Sequence, residues 1–430
     1  MKRFLVTGVS ILALSAASGA YGNDSDLTQT GNDNSATITQ IIGSESSSDV
    51  TQSGNDNVAE VTQEVVPAGI SAFNVPANDS IIDQIGDNSR ATVRQTSSDP
   101  GSAPGNAALI SQNSSNVLQL NRGVALNARI VQGAPGAGTV NNYAEINQGG
   151  NFTNMSALDD SGSGVTARSR QFGSENTSTI NQQILDQNAD PSTRALVDQT
   201  GGSNISNVLQ QGAQQFTDVD QTGDNNVSDV MQGNNNNGHP ATAIVLQTGD
   251  DNESYIDQVA QNVTATVTQT GNQNASDIDQ TGGSRFSDAT VLQTGDLNNS
   301  TIAQGTNGRR STATVTQTGN TSDSVITQNN VRADAIVEQG PGSDNDSTIT
   351  QSMGMDVMAM VTQTGSANLS TITQQGDNQM AMVIQASSGN ESAITQMGMN
   401  NTATHSQIVT NGNTATTTQN GTGNTVTVNQ

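Results

Sequence analysis

The stretch Asn34-Ser-Ala36-Thr-Ile38-Thr-Gln40 follows the pattern Asn-x-(Ala/Ser)-x-(Ile/Val)-x-Gln, which recurs along the chain. Alternate residues of a β-strand share one face, so each copy puts an amide, a small residue, a β-branched apolar residue and a second amide on one side. The other side carries mostly Thr, Ser and Asp. Fourteen copies occur in the 430 residues. This repetition indicates a stack of similar units rather than an ordinary globular domain.

The spacing of the closing glutamines predicts the geometry of the stack. They fall 11 residues apart in long runs, as at Gln247, Gln258, Gln269 and Gln280. Eleven residues hold a seven-residue strand and a four-residue turn, so two strands and two turns make a rung of about 22 residues. Rungs should stack about 4.8 Å apart through backbone hydrogen bonds. The predicted fold is all-β, a two-sided β-solenoid of stacked strand-turn-strand rungs.

The prolines support this interpretation. All eight lie where the interval between closing glutamines exceeds 11 residues, and proline is excluded from paired strands because it lacks an N–H group. Loops are predicted at residues 64–77, 96–105, 133–141 and 150–170. The predicted organisation is therefore a signal peptide over 1–22, repeats interrupted by loops over 23–198, and regular repeats over 199–430. We expect one continuous solenoid rather than two domains.

Composition indicates an exported, acidic protein. Residues 1–22 are typical of a secretory signal, with Lys2 and Arg3 before an apolar run and a small-residue exit. No stretch is apolar and long enough to predict a membrane span. The chain has no cysteine, so it is expected to do without disulfides outside the cytoplasm. With 13 Lys+Arg against 39 Asp+Glu and no basic patch in the sequence, we predict neither nucleic-acid binding nor membrane insertion.

The two amides of each repeat would be costly to bury without hydrogen-bond partners. In a stack, each Asn or Gln can donate to the equivalent side chain one rung away and so form a ladder along the axis. Ladders also penalise shifts of register between near-identical units. The residues predicted to form them include Gln29, Asn34, Gln40, Asn57, Gln63, Asn204, Gln210, Asn226, Gln232, Asn252, Gln258, Asn274, Gln280, Asn368 and Gln374.

Outward aspartates lie beside the apolar inward residues of several repeats. We predict that Asp229, Asp257, Asp277 and Asp279 are gatekeepers, whose charge discourages premature pairing of strand edges. Calcium binding, as in β-rolls, is an alternative, although their nonapeptide is absent. Outward threonines, as in residues 264–268, leave ice binding as a second alternative.

No arrangement of residues points to catalysis. His239 lies in an Asn-rich loop and is expected to be solvated, whereas His405 occupies an inward Ile/Val position and is expected to be a tolerated polar core residue. We predict that the chain is not an enzyme and needs no cofactor or metal. A polysaccharide-cleaving β-helix enzyme is disfavoured because aromatic residues are only 2% of the chain.

The segment Gln52-Ser-Gly54-Asn-Asp-Asn57-Val-Ala59-Glu-Val-Thr-Gln63 resembles the curlin repeat, and so does Gln269-Thr-Gly271-Asn-Gln-Asn274-Ala-Ser-Asp-Ile-Asp-Gln280. The resemblance extends over nearly all of residues 27–430 and is that of a curli major fibre subunit. The chain departs from that family in having many more repeats. It also lacks a Gly/Asn-rich export segment, since only residues 23–26 stand between the signal and the first repeat.

The resemblance implies a structural subunit of an extracellular amyloid fibre on a Gram-negative cell, mediating adhesion and biofilm matrix formation. It implies three partners: further copies of the chain, a nucleator and an outer-membrane secretion pore. Templated addition is expected at exposed end rungs, because open strand edges promote polymerisation. The alternative from another class is a monomeric secreted β-solenoid that acts as an adhesin or binds calcium or ice.

Overall fold

The computed structural model is built from β-strands. It describes residues 3–7, 10–16, 24–41, 46–65, 78–85, 89–97, 107–113, 127–132, 143–149, 155–161, 166–183, 193–212, 214–235, 240–305 and 309–430. Every regular element within these ranges is a strand. Within the same ranges there is no helix long and apolar enough to cross a membrane.

Residue contacts divide the chain into two units, Met1–Asp224 with Asn236–Gly238, and Asn225–Asn235 with His239–Gln430. The described strands of the first unit are β1 (Arg3–Thr7), β2 (Ser10–Ala16), β3 (Asp24–Thr30), β4 (Asn34–Ile41), β5 (Ser47–Ser53), β6 (Val58–Val65), β7 (Asp79–Ile85), β8 (Arg90–Ser97), β9 (Ala107–Asn113), β10 (Asn127–Gln132), β11 (Tyr143–Gly149), β12 (Met155–Ser161), β13 (Thr166–Ser174), β14 (Thr177–Gln183), β15 (Arg194–Gly202), β16 (Ile205–Gly212) and β17 (Gln215–Thr222).

The described strands of the second unit are β18 (Val227–Asn235), β19 (Ala241–Thr248), β20 (Glu253–Gln258), β21 (Val263–Thr270), β22 (Ala275–Gln280), β23 (Asp288–Thr294), β24 (Asn299–Gln304), β25 (Thr312–Gln317), β26 (Asp323–Gln339), β27 (Asp346–Gln363), β28 (Leu369–Gln375), β29 (Met380–Gln385), β30 (Glu391–Met399), β31 (Thr402–Gln407), β32 (Thr414–Thr422) and β33 (Thr425–Asn429). The long strands β26 and β27 each run through a turn and therefore supply both sides of a rung.

Strands within each unit stack in parallel on the equivalent strand of the next rung. For example, β20 pairs with β22 and β21 with β23. The register places like residues opposite each other, as with Ile256 and Ile278. Equivalent glutamines are 22 residues apart between Gln258 and Gln280, and 24 apart between Gln280 and Gln304. The predicted two-sided β-solenoid with rungs of about 22 residues is confirmed.

Burial alternates along most of the described strands as the sequence pattern predicts. In β22, Ser276, Ile278 and Gln280 are buried, while the residues between them are half-buried or exposed. The apolar core of a strand is thus one Ile or Val, with Ala at some of the small positions. Burial of one such branched side chain contributes about 1.5–3 kcal/mol. Because the remaining inward positions are Ser, Asn and Gln, the apolar column is narrow and buried polar groups make up much of the interior.

Glycine in the turns is required by backbone conformation and by contact with the next rung. Gly271 has φ +116°, and a Cβ there would lie 2.1 Å from the carbonyl oxygen of Gly295. Two residues after each glycine the backbone is again left-handed, at Gln273 (φ 57°) and Leu297 (φ 61°). Side chains in this region cost about 1–2 kcal/mol each. Stacking of neighbouring turns therefore holds a conformation that the local sequence alone disfavours.

The predicted loop over residues 150–170 is wrong in part, because β12 and the beginning of β13 lie within it. Asp160 stands opposite Gln182 of β14, in the place of a closing glutamine. Ser169 stands opposite Ile146 of β11, in the place of a branched apolar residue. Pairing with complete repeats on neighbouring rungs supports these strands despite their imperfect pattern. Residues 66–77, 98–105 and 133–141 of the other predicted loops, together with His239, lie outside the described residues.

The predicted boundaries of the chain are not decided by the fold. Residues 3–7 and 10–16 form β1 and β2, which pair with β3 and β4 in the uncleaved chain. Cleavage of a signal over 1–22 stays a prediction. The division between interrupted and regular repeats at residue 198 and the single continuous solenoid also stay predictions.

Candidate functional site

Columns of buried glutamine amides form the most regular polar feature of the molecule. In two columns of the second unit, the Nε2 group of every glutamine but the last donates to the Oε1 atom of the equivalent glutamine on the next rung. One column has donor–acceptor distances of 2.8–3.1 Å and contains Gln232, Gln258, Gln280, Gln304, Gln328, Gln351, Gln374, Gln396 and Gln419. The other has distances of 2.8–3.0 Å and contains Gln247, Gln269, Gln293, Gln317, Gln339, Gln363, Gln385, Gln407 and Gln430.

Each glutamine also joins the two sides of the solenoid. Besides donating to Gln304 at 2.8 Å, Nε2 of Gln280 donates to the backbone carbonyl of Thr264 at 3.1 Å. Thr264 lies in β21, on the opposite side from β22. The repeat pattern did not predict this second bond, because the pattern relates only equivalent residues of successive rungs. The cross-bond means that a glutamine fixes its own rung as well as the register between rungs.

Asparagines form a second kind of column with the opposite direction of donation. Nδ2 of Asn274 donates backward to Oδ1 of Asn252 at 3.1 Å, and also to the carbonyl of Gly295 at 2.7 Å. Its own Oδ1 accepts from the Nδ2 and the backbone N–H of Asn298, each at 3.1 Å. Asn therefore links the strand to the glycine turn, and it uses both polar atoms of its side chain.

The structure places the other predicted ladder residues in such columns. In the first unit, Gln29 donates to Gln52 at 2.6 Å, Gln40 to Gln63 at 2.9 Å, Gln182 to Gln210 at 2.7 Å, Asn204 to Asn176 at 3.1 Å, and the backbone N–H of Asn57 to Oδ1 of Asn34 at 3.0 Å. In the second unit, Asn252 donates to Asn226 at 3.0 Å and Asn368 to Asn345 at 3.2 Å.

These columns make each rung complementary to a copy of itself. Toward the following rung, a rung presents glutamine Nε2 donors and asparagine Oδ1 acceptors. Toward the preceding rung, it presents the matching glutamine Oε1 acceptors and asparagine Nδ2 donors. Charge-neutral amides paired in this way have no evident role in acid–base chemistry. Their chemical capacity is recognition of another rung of the same kind.

The predicted gatekeepers stand together on the outward face. Asp257 lies opposite Asp279 in register, and Tyr255 lies between Asp229 and Asp277 on successive rungs. Partial burial raises the pKa of Asp257, and the nearby Asp279 and Asp277 raise it further. Partial burial likewise raises the pKa of Asp279, with a further contribution from Asp277. The negative charges therefore repel one another in the stack. None of the described residues forms a group of three or more His, Cys, Asp or Glu side chains that could hold a metal ion.

His405 lies in the interior, opposite Val383 on the preceding rung and Val428 on the following one. Its Nδ1 is 2.8 Å from Oγ of Ser392 and its Nε2 is 2.7 Å from Oγ1 of Thr417. These two hydroxyl partners were not predicted from the sequence. Thr417 itself stands opposite Ile394, in the place of an inward Ile or Val. Burial lowers the pKa of His405, because the imidazolium would lose its hydration.

The structure also reveals a cluster of arginines that the sequence analysis missed. Arg285, Arg309 and Arg310 line a cavity of about 300 Å³ with Phe286 and Val331. The backbone N–H of Arg310 donates to the carbonyl of Arg285 on the preceding rung at 2.9 Å. The expectation that the chain has no basic patch is therefore wrong for the segments that carry these arginines. The rung period could have predicted this cluster, since Arg285 and Arg309 are about one rung apart in sequence.

Comparison with known proteins agrees with this architecture. The family model described as the curlin associated repeat matches residues 22–54, 287–319 and 354–386. These segments contain members of the amide columns described above, such as Gln293 and Gln374. A search of curated proteins gave no match to the chain.

The position of His405 leads to a prediction about pH. A lowered folded-state pKa gives stability that is fully present above the unfolded value, about 6.5, and that is lost as the pH falls from there through the lowered folded-state pKa. We expect amide hydrogen exchange across residues 391–430, taken relative to the intrinsic exchange rate at each pH, to accelerate in mild acid, with little change elsewhere because rungs contact only their neighbours. In the His405→Val variant this acceleration should be absent. Equal acid sensitivity of the two proteins would contradict the assignment of the His405 ring to the interior.

Proposed function

Because the chain is a curlin-repeat protein, we propose that it is the structural subunit of an extracellular, curli-like amyloid fibre. The fibre would mediate cell adhesion and biofilm matrix formation at the surface of a Gram-negative bacterium. The curlin repeat and the β-solenoid are structural architectures, and this supports a structural rather than an enzymatic role. Its partners would be further copies of the chain, a nucleator and an outer-membrane secretion pore.

The single observation that carries this proposal is the self-complementarity of the rungs. Contact between rungs consists of parallel backbone pairing, as between β20 and β22, and of amide columns such as Gln258–Gln280–Gln304. Neither component requires that the two rungs belong to the same chain. A rung of one copy can therefore offer a second copy the same bonds that it forms within its own unit. Assembly by this route would proceed by templated addition.

Self-seeding tests the proposal. We expect purified chain lacking residues 1–22 to form fibres with a diffraction reflection near 4.8 Å along the axis, because the rungs stack as paired strands. Sonicated fragments of these fibres should remove the lag phase, whereas fragments of an unrelated cross-β fibre should leave it unchanged. A chain that stays monomeric at high concentration for days would refute the proposal. A calcium-dependent circular dichroism signal in that monomer would favour the alternative of a ligand-binding adhesin.

The outward aspartates should set the rate of assembly. A raised folded-state pKa gives stability that is full below the unfolded value, near 3.9, and that is lost as the pH rises through the raised pKa. We therefore expect Asp229→Asn, Asp257→Asn, Asp277→Asn and Asp279→Asn together to shorten the lag at neutral pH. Added salt should shorten the lag of the unmodified chain by screening. The control for net charge is a variant in which four turn aspartates are changed to Asn, namely Asp224, Asp250, Asp251 and Asp296. If neither the four outward substitutions nor added salt changed the lag time, the gatekeeper role would be refuted.

A further inference from the structure

Methionine is concentrated in a short part of the second unit. Eight of the chain's 11 methionines lie between residues 353 and 399. They form four Met-x-Met pairs, namely Met353 with Met355, Met358 with Met360, Met380 with Met382, and Met397 with Met399.

The structure brings two of these pairs together. Strands β27 and β29 pair in parallel, with Met358 opposite Met380 and Met360 opposite Met382. Neighbouring strands are about 4.8 Å apart, and alternate residues of one strand are about 6.6 Å apart. We call these four residues the methionine quartet.

All four side chains of the quartet lie on the outward face. The residues between them, Ala359 and Ala381, are buried, so their neighbours along the strand point away from the core. Met358 and Met380 are 40% and 41% exposed, and Met360 and Met382 are half-buried. Four thioethers from two rungs therefore share one accessible patch of the sheet.

The surroundings of the quartet suit a cation. On the preceding rung, Asp334 lies opposite Met358 in register. On the following rung, Thr402 and Thr404 lie opposite Met380 and Met382. Neither flanking strand places a Lys or Arg opposite the quartet. The patch thus combines soft sulfur ligands with a nearby carboxylate, in a chain whose net charge is −26.

We propose that the methionine quartet binds a soft monovalent cation, copper(I) or silver(I). Thioether sulfur is a soft, neutral ligand that selects copper(I) over the hard divalent ions, and silver(I) shares its closed-shell d¹⁰ configuration. Methionine has three rotatable side-chain bonds, so four sulfurs on a flat patch of this size can turn toward one ion. Leucine or isoleucine would serve an apolar face equally well. The presence of sulfur at all four positions is what points to a metal.

Stacking of the rungs should determine the affinity. Each Met-x-Met pair offers two sulfurs even in an unfolded chain, but the second pair is held nearby only when β27 and β29 are paired. Joining two weak modules in this way raises affinity by about a hundredfold or more. Bound metal should in turn stabilise these two rungs, because it binds the folded state preferentially.

Silver(I) is the probe for the test because it needs no reductant. The full chain is dialysed against silver nitrate in chloride-free buffer, and bound silver is counted by mass spectrometry. Two variants are compared with the unmodified chain. The first carries Met358→Leu, Met360→Leu, Met380→Leu and Met382→Leu. The matched control carries Met353→Leu, Met355→Leu, Met397→Leu and Met399→Leu, where the pairs do not form a quartet because Gln375 lies opposite Met397.

We expect the unmodified chain and the control to share a tight site that the quartet variant lacks, with a dissociation constant at least about a hundredfold weaker in that variant. Silver should also slow hydrogen exchange of β27 and β29 in the unmodified chain and in the control variant, but not in the quartet variant. Circular dichroism verifies that all three keep their strands. Equal silver affinity in the two variants, or no binding by the unmodified chain at micromolar silver, would overturn the proposal.

Discussion

Buried carboxamides dominate the interior of this structure, and each of them requires hydrogen-bond partners that the columns supply in most cases. A buried amide that loses its partner costs about 1–3 kcal/mol, which is comparable to the contribution of a buried Ile or Val. Gln280 meets this requirement with bonds to Gln258, Gln304 and the backbone of Thr264. A shift of register by one residue would send every amide of a strand to the outward face. The columns therefore define one alignment among many similar repeats.

Fixing the interior in this way leaves the outward face free to vary. Whatever stands at a given outward position is brought next to its equivalents on the neighbouring rungs, about 4.8 Å away. Three outward groupings arise by this rule: the aspartates around Asp257, the arginines around Arg309, and the methionine quartet. The fibre proposed here depends on the interior columns. The quartet depends only on the register that these columns impose, so the two proposals can fail separately.

The sequence predicts the strands well because the inward pattern has a period of two and each copy ends in glutamine. It also predicts the turns, because the glycine at positions such as Gly271 marks a backbone conformation, φ near +116°, that residues with a Cβ rarely adopt. The bond from Gln280 to Thr264 could not be predicted, since it depends on how both turns of a rung fold back. The strands β12 and β13 were missed because Asp160 and Ser169 break the pattern locally, while neighbouring rungs maintain the pairing. The same dependence on neighbours hid the hydroxyl partners of His405.

The most direct test of the role of the columns compares two adjacent glutamines. Gln374 is buried and donates to Oε1 of Gln396 and to the carbonyl of Met358, each at 2.9 Å, whereas Gln375 is half-buried on the outward side. Glutamate at position 374 would turn a carboxylate oxygen toward those two acceptors. Amide hydrogen exchange over residues 346–396 should then accelerate at least about thirtyfold in Gln374→Glu, equivalent to about 2 kcal/mol. In Gln375→Glu it should stay within about threefold of the unmodified chain, a difference of less than about 1 kcal/mol. Equal protection in the two variants would contradict the account.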